Sequence, residues 1–340
     1  MPEVLGLDIG GANIKAATTS GQAYTLPFPL WKQSDKLSGA LHEILVRLPH
    51  RGPVALTMTG ELCDCFPTKS AGVRHILLAA QDVFREQPVF VWRNDGKWAS
   101  INHSLEEPLP IASANWLASA TYAARFLPDG PGCFLDLGST TFDIIHLSDG
   151  KVVTNSRTDL DRLRLGELAY VGCSRTPICN LVQEYDLQGH TVTLAAEWFA
   201  TLDDARLVLN QAVEDESDRN TADGQPRTQR HAATRLTRML CSDVDELGRE
   251  EVEKLAQATM SAFRGKLLHC LQASLQRHVQ QSSMGIILSG SGEGYLAEVA
   301  PQLPFDFSPV ISLTGKIGPD LSTALAAYAV ATLLAERQSR

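Results

Sequence analysis

A six-residue pattern occurs twice in this chain, and it constrains the fold more than any bulk property. Leu5-Gly6-Leu7-Asp8-Ile9-Gly10 returns as Cys133-Phe134-Leu135-Asp136-Leu137-Gly138: an apolar run, an aspartate, one apolar residue and a glycine. Two strand-like runs follow each copy, Asn13 to Thr19 and Ala23 to Pro29 after the first, Thr141 to Leu147 and Lys151 to Asn155 after the second. Such self-similarity marks an internal duplication, so two matching lobes of βββα type are expected. The first continues through a helical pattern at Leu37 to Leu48, a strand at Val54 to Met58, a helix at Ala71 to Phe84 and a strand at Pro88 to Trp92, giving βββαβαβ. A helix is predicted from Asn115 to Phe126. Pro128-Asp129-Gly130-Pro131-Gly132 is the densest turn cluster, which puts the lobe boundary between residues 130 and 131.

The expected organisation is therefore an N-terminal lobe over 1–130 and a C-terminal lobe over 131–340. In the second lobe Met284 to Leu288 reads as a strand, entering the Gly-rich turn Ser289-Gly290-Ser291-Gly292-Glu293-Gly294 and a short helix at Tyr295 to Val299. An Ala-rich amphipathic helix from Leu321 to Ala335 closes the chain. About residues 157–240 interrupt the duplication, and Glu214 to Arg230 is polar enough to predict an exposed loop. With 340 residues and 44% hydrophobic content, two cores of ordinary domain size are affordable.

Bulk charge and cysteine usage exclude several function classes. A net charge of -9 with scattered Lys and Arg offers no basic stripe, so nucleic acid is not an expected partner. No apolar run is long enough for a membrane span, and the start of the chain carries no basic leader, so a cytoplasmic protein is expected. Seven cysteines form no CxxC pair and are expected as reduced thiols. Cys63-Asp64-Cys65 lacks the second cluster that a zinc site needs, and His269 and His278 read as packing or surface residues.

The chemistry is concentrated in the strand-ending motifs. Asp8, Gly10, Gly11 and Asn13 in the first copy, and Asp136, Gly138, Ser139, Thr140 and Thr141 in the second, place a carboxylate beside a tight turn. Glycine lets backbone N–H groups approach phosphate oxygens, hydroxyls add donors, and Asp8 with Asp136 suits a hydrated Mg²⁺. Gly290 and Gly292 offer a third turn for a nucleotide or another anion. Lys15 projects on the same face as Asn13, within expected reach of phosphate. Thr57-Met58-Thr59-Gly60-Glu61 with Asp64 and Lys69 suits metal coordination or general-base work, as well as a plain helix start.

At these motifs, and in particular at Asp136-Leu137-Gly138-Ser139-Thr140-Thr141-Phe142-Asp143, the chain resembles the hydantoinase and oxoprolinase branch of the actin-like ATPase and sugar-kinase superfamily. The resemblance implies a two-lobed α/β fold with ribonuclease H-like halves. More narrowly, Gly6 to Lys15, Thr59 to Phe66, Arg175-Thr176-Pro177 and Thr221-Ala222-Asp223-Gly224 resemble a family associated with tetrahydromethanopterin-linked one-carbon transfer. It departs from the pattern at Phe142, where Thr is expected, and at His146, where Pro is expected.

That family includes an enzyme of methanofuran biosynthesis that joins an aminomethyl-furfuryl diphosphate to γ-glutamyltyramine and releases diphosphate. The resemblance implies a small-molecule diphosphate substrate and a phenolic acceptor. Mg²⁺ would sit near Asp8 and Asp136, Glu61 or Asp64 would act as base, Lys15 and Lys69 would support phenolate or diphosphate, and Arg175 would clamp the γ-glutamyl carboxylates. Whether ATP is bound stays open, and a homo-oligomer is compatible with the sequence. A kinase, a hydantoin or oxoproline hydrolase and a non-catalytic nucleotide switch are the rival expectations.

Overall fold

The computed structural model describes residues 2–278 and 283–339, with the His278 side chain outside the described set. Six strands form the first sheet: β1 (Leu5–Ile9), β2 (Asn13–Thr18), β3 (Ala23–Pro27), β4 (Val54–Met58), β5 (Val89–Trp92) and β6 (Trp98–Ser100). Their order is β3-β2-β1-β4-β5-β6. β1 runs antiparallel to β2 and parallel to β4, and β4 runs parallel to β5. β1 is buried along its whole length, as expected of a central strand covered on both faces. The short edge strand β6 is an addition to the expected pattern.

The second sheet repeats the plan. It contains β7 (Pro131–Leu137), β8 (Phe142–Ser148), β9 (Lys151–Val152), β10 (Leu168–Ala169), β13 (Ser283–Ser289) and β14 (Asp306–Ser312). β8 is antiparallel to β7, while β13 is parallel to both β7 and β14. The third strand differs from expectation. Only Lys151 and Val152 of the predicted Lys151–Asn155 strand pair with β8, at its far end, and β10 pairs near its start at Phe142 and Asp143. Between β9 and β10 the chain leaves the sheet to form a helix at Asp159–Leu165, so the interruption divides one strand instead of following it. Two sheets of order 3-2-1-4-5 with an antiparallel second strand make the duplicated actin-like ATPase and sugar-kinase fold.

The helices follow in chain order: α1 (Leu37–Arg47), α2 (Lys69–Val83), α3 (Asn115–Ala123), α4 (Asp159–Leu165), α5 (Leu202–Val208), α6 (Gln229–Arg238), α7 (Arg249–His278), α8 (Glu293–Val299) and α9 (Leu325–Gln338). α1 and α2 cover one face of the first sheet through Leu5, Leu7, Ile9, Leu41, Ile76 and Leu77. Leu135, Leu137, Phe142 and Ile144 of the second sheet meet α7 through Phe263 and Leu267. The inner faces of both sheets share a third core with α3 and α9, where Val4 and Ala55 of one sheet join Phe134, Ile145 and Ile287 of the other.

α9 corrects two expectations. It is buried almost all round, from Leu325 to Ala335, instead of being amphipathic, because it lies between the sheets. It also packs directly on β1, so closely that a Cβ on Gly6 would overlap the carbonyl oxygen of Ala327. The last helix therefore belongs spatially with the first sheet, although it follows the second in sequence.

The interrupting segment holds more order than its composition suggests. It contains α5, α6 and a hairpin of β11 (Glu184–Leu187) with β12 (His190–Thr193). The polar stretch before α6 is tied down by ion pairs: Arg227 to Asp203 at 2.6 Å, and Asp223 to Arg235 at 3.0 Å and Arg238 at 2.9 Å. No helix among the described residues is long and apolar enough to cross a membrane.

Candidate functional site

Strand alternation decides which side chains meet. In β1 the odd residues Leu5, Leu7 and Ile9 enter the outer core, which turns Gly6 and Asp8 toward the space between the sheets. The same rule turns Lys15 and Thr57 inward from β2 and β4. In the second sheet it turns Asp136, Asp143 and Ser289 inward, because Leu135, Leu137, Phe142, Ile144 and Leu288 are committed to the outer core. Each sheet thus turns a row of polar groups inward.

The turns after β1 and β7 are built alike. Gly10 N–H donates to the Asn13 carbonyl at 3.0 Å, and Gly138 N–H donates to the Thr141 carbonyl at 2.9 Å. Ser139 is exposed, with its hydroxyl 3.4 Å from that of Thr140. The third turn rests on the second: Gly292 N–H donates to the Leu137 carbonyl at 2.8 Å. Gly290 adopts a φ of 88°, and a Cβ there would overlap Asp136 Oδ1, so only glycine lets this backbone lie against the carboxylate.

The carboxylates sit in different surroundings. Asp8 is 7% exposed, and its Oδ1 has no hydrogen-bond partner among the described residues. Burial raises its pKa above the usual carboxylate value, against the opposing pull of Lys15, its partner across β1 and β2, and of Asn115. Asp136 is pushed up to about 7, chiefly by burial and then by Asp143, which faces it across β7 and β8. Lys15 and Ser289 hold it down in part. Lys15 acts on both aspartates and so links the two halves electrostatically.

Glu61 lies in the turn after β4, where Gly60 packs against the carbonyls of Ile9 and Gly10. Its side chain is fully buried: Oε1 accepts a hydrogen bond from Ser113 Oγ at 2.7 Å, while Oε2 has no partner among the described residues. Burial raises its pKa; Ser113 and Lys69 oppose the rise, and Asp159 from the other half adds to it. Asp64 is exposed and stands apart from this group. Cys65 is exposed as well, and burial pushes the neighbouring Cys63 thiol up to about 11.

Arg175 comes from the loop after β10. Its N–H donates to the Ser139 carbonyl at 2.9 Å, and its guanidinium stands 5.7 Å from the Trp31 ring of the first half. The arginine therefore links the two halves. Behind it, buried Arg162 pairs with Asp143, reaches Asp159 at 3.3 Å and covers the Trp116 ring at 4.3 Å.

The structure brings Asp8, Lys15 and Asp136 into one electrostatic group, sets Glu61 and Lys69 beside the first turn, and leaves Asp64 on the surface. Asp143, Asp159, Arg162, Ser113, Asn115 and Trp31 were absent from the sequence-predicted site. A signal existed for Asp143 alone, which follows Asp136 at the spacing with which Lys15 follows Asp8. No three His, Cys, Asp or Glu side chains among the described residues converge as a metal cage.

Residues 53–337 match the hydantoinase/oxoprolinase family. The chain belongs to that family. The matched span begins at β4, so the first turn with Asp8 lies outside it. A Methanocaldococcus jannaschii relative, the (4-{4-[2-(γ-L-glutamylamino)ethyl]phenoxymethyl}furan-2-yl)methanamine synthase, is 33% identical over 336 residues and 97% of each chain. A Methanococcus vannielii family member of the same name is 32% identical over 205 residues, 59% of this chain and 90% of its own. Among solved structures, nucleotide-free acetone carboxylase resembles 94% of this chain with a TM-score of 0.51 at 12% identity, over 51% of its own length. That likeness concerns the fold alone.

Proposed function

We propose that this chain is a transferase that forms an aryl ether, joining an aminomethyl-furfuryl diphosphate to γ-glutamyltyramine with release of diphosphate. The observation that carries the reading is the end-to-end similarity to a relative named for that ether product. The geometry supports it, because a ligand lying between the two turns would meet backbone donors of the first and hydroxyls of the second, with Lys15 acting on both Asp8 and Asp136.

In the reaction the phenol oxygen bonds to the furfuryl CH₂ while the bond from that carbon to the diphosphate oxygen breaks, and the electron pair leaves with diphosphate. Gly11 and Asn13 on one side, and Ser139, Thr140 and Thr141 on the other, receive the departing charge, with Gly290 closing the second side; Gly10, Gly138 and Gly292, whose N–H groups are spent within the turns, shape the backbone that presents them. A phenol has a pKa of about 10, so it needs help to ionise. Glu61 takes its proton: burial raises its pKa above the ordinary carboxylate value, which makes it a stronger base, and Oε2 has no other partner among the described residues. Lys69 beside it favours the phenolate, and Arg175 suits the γ-glutamyl carboxylates through its planar fork. The donors also fit Mg²⁺, which takes oxygen ligands and is commonly held by one or two carboxylates plus ligand oxygens; Asp8, with its unpartnered Oδ1, and Asp136 would hold it. When bound, the ion neutralises charge on the diphosphate.

The test is mass spectrometry of the protein incubated with Mg²⁺ and both substrates, with and without ATP. Ether and diphosphate formed equally in both arms are expected. ADP appearing with a phosphorylated acceptor and no ether would contradict the reading and indicate a kinase.

A further inference from the structure

Ser113 combines three features that loops rarely combine. It precedes α3 in a left-handed conformation, with φ of 49°, which costs a residue with a Cβ and is usual only for glycine or asparagine. It is 6% exposed. Its hydroxyl is spent on one atom, Glu61 Oε1, at 2.7 Å. Strained backbone at a buried polar contact persists only where the surroundings impose it, and such positions concentrate at functional sites.

The surroundings do impose it. Two residues on, Asn115 opens α3 and offsets the burial of Asp8, and Trp116 lies under Arg162. On the other side, α2 approaches so closely that a Cβ on Gly72 would overlap the Glu61 carbonyl. Glu61 is therefore fixed from behind by α2 and from the front by Ser113, with only Oε2 left unpartnered. The groups acting on it are Ser113, its own backbone N–H, Asp159 and Lys69, and the Cys63 thiol and the Tyr170 phenol also feel its charge.

We infer that Ser113 is a positioning residue for Glu61: its strained backbone aims the hydroxyl at Oε1, which fixes the carboxylate and leaves Oε2 to receive the acceptor's proton. The inference rests on the reading of Glu61 as the base. Donation to a carboxylate favours its charged form, so loss of the hydroxyl leaves Glu61 protonated to higher pH.

The test compares Ser113→Gly, Ser113→Ala and Glu61→Gln in the full chain, using pH profiles of ether formation, thermal unfolding and a ¹³C-detected titration of the Glu61 carboxyl, assigned by its loss in Glu61→Gln. Glycine relieves the left-handed strain, so Ser113→Gly should unfold no earlier than the parent, yet its kcat/KM should fall about tenfold more on the acid side of the profile than on the alkaline side. Ser113→Ala should show the same pH-dependent loss with lower thermal stability. In both, the carboxyl should titrate at higher pH than in the parent. An unchanged profile and an unchanged titration, with only unfolding altered, would overturn the positioning role. Parental turnover in Glu61→Gln would overturn the base assignment beneath it. If no form makes ether, the proposed reaction fails, and the titration alone decides whether Ser113 sets the state of Glu61.

Discussion

In the first sheet the residue facing Asp8 across the β1–β2 pair is Lys15; in the second, the residue facing Asp136 across β7–β8 is Asp143. The same position of a duplicated unit carries opposite charges. In the first copy a cation offsets the burial of the strand-end aspartate, whereas in the second a carboxylate adds to it and Asp136 rises to about 7. The strain of like charges is relieved from behind, where Arg162 pairs with Asp143. Duplication thus preserves the backbone of the turn and lets charge diverge. Burial raises the pKa of both strand-end aspartates, while their facing partners act in opposite directions, Lys15 lowering that of Asp8 and Asp143 raising that of Asp136.

Substitutions can break this comparison. The largest effect should come from Lys15→Met, which removes the one cation acting on both aspartates; turnover should fall about 10²–10³-fold, measured as diphosphate release. Arg162→Met should cost about 3–5 kcal/mol in denaturant unfolding, because Asp143 and Asp159 lose the buried cation they share. A loss no greater than that of an exposed substitution would show the second half needs no such support.

A smaller, pH-dependent effect should follow from Asp136. Its proton is held more tightly folded than unfolded, so its contribution to stability is present below the ordinary carboxylate range and is lost as pH rises through about 7. Unfolding temperatures of metal-free protein should therefore drop less between about pH 5 and pH 8 in Asp136→Asn than in the parent. Mg²⁺–diphosphate binding, followed by calorimetry, should weaken as pH falls through about 7, and Asp143→Asn should move that threshold to lower pH. The smallest effect is expected for exposed Asp64→Asn, with turnover within about twofold of the parent.

Much of this was legible in the sequence because it depends on local periodicity. The repeated Asp-apolar-Gly ending, strand alternation and Gly-rich third turn place Asp8, Lys15, Asp136 and Gly290 without knowledge of the fold. Asp143 was legible too, through its correspondence with Lys15. Ser113, Asp159 and Arg162 were not, because their roles arise from contacts between residues far apart in sequence, Ser113 with Glu61, Arg162 with Asp143 and Asp159 with Glu61, that no short-range pattern encodes. The split third strand escaped detection because β9 and β10 are two residues each, too short to show alternation. The position of α9 on β1 was hinted at only by Gly6, whose need for a bare backbone becomes visible once Ala327 lies against it.

The central claim is that both turns act on a single diphosphate. A crystal structure of the protein with Mg²⁺ and diphosphate tests it most directly. The account predicts one diphosphate touching the Gly10–Asn13 and Gly138–Thr141 turns together, beside Asp8, Lys15 and Asp136. A diphosphate held by one turn alone, with Asp8 and Asp136 engaged elsewhere, would contradict it.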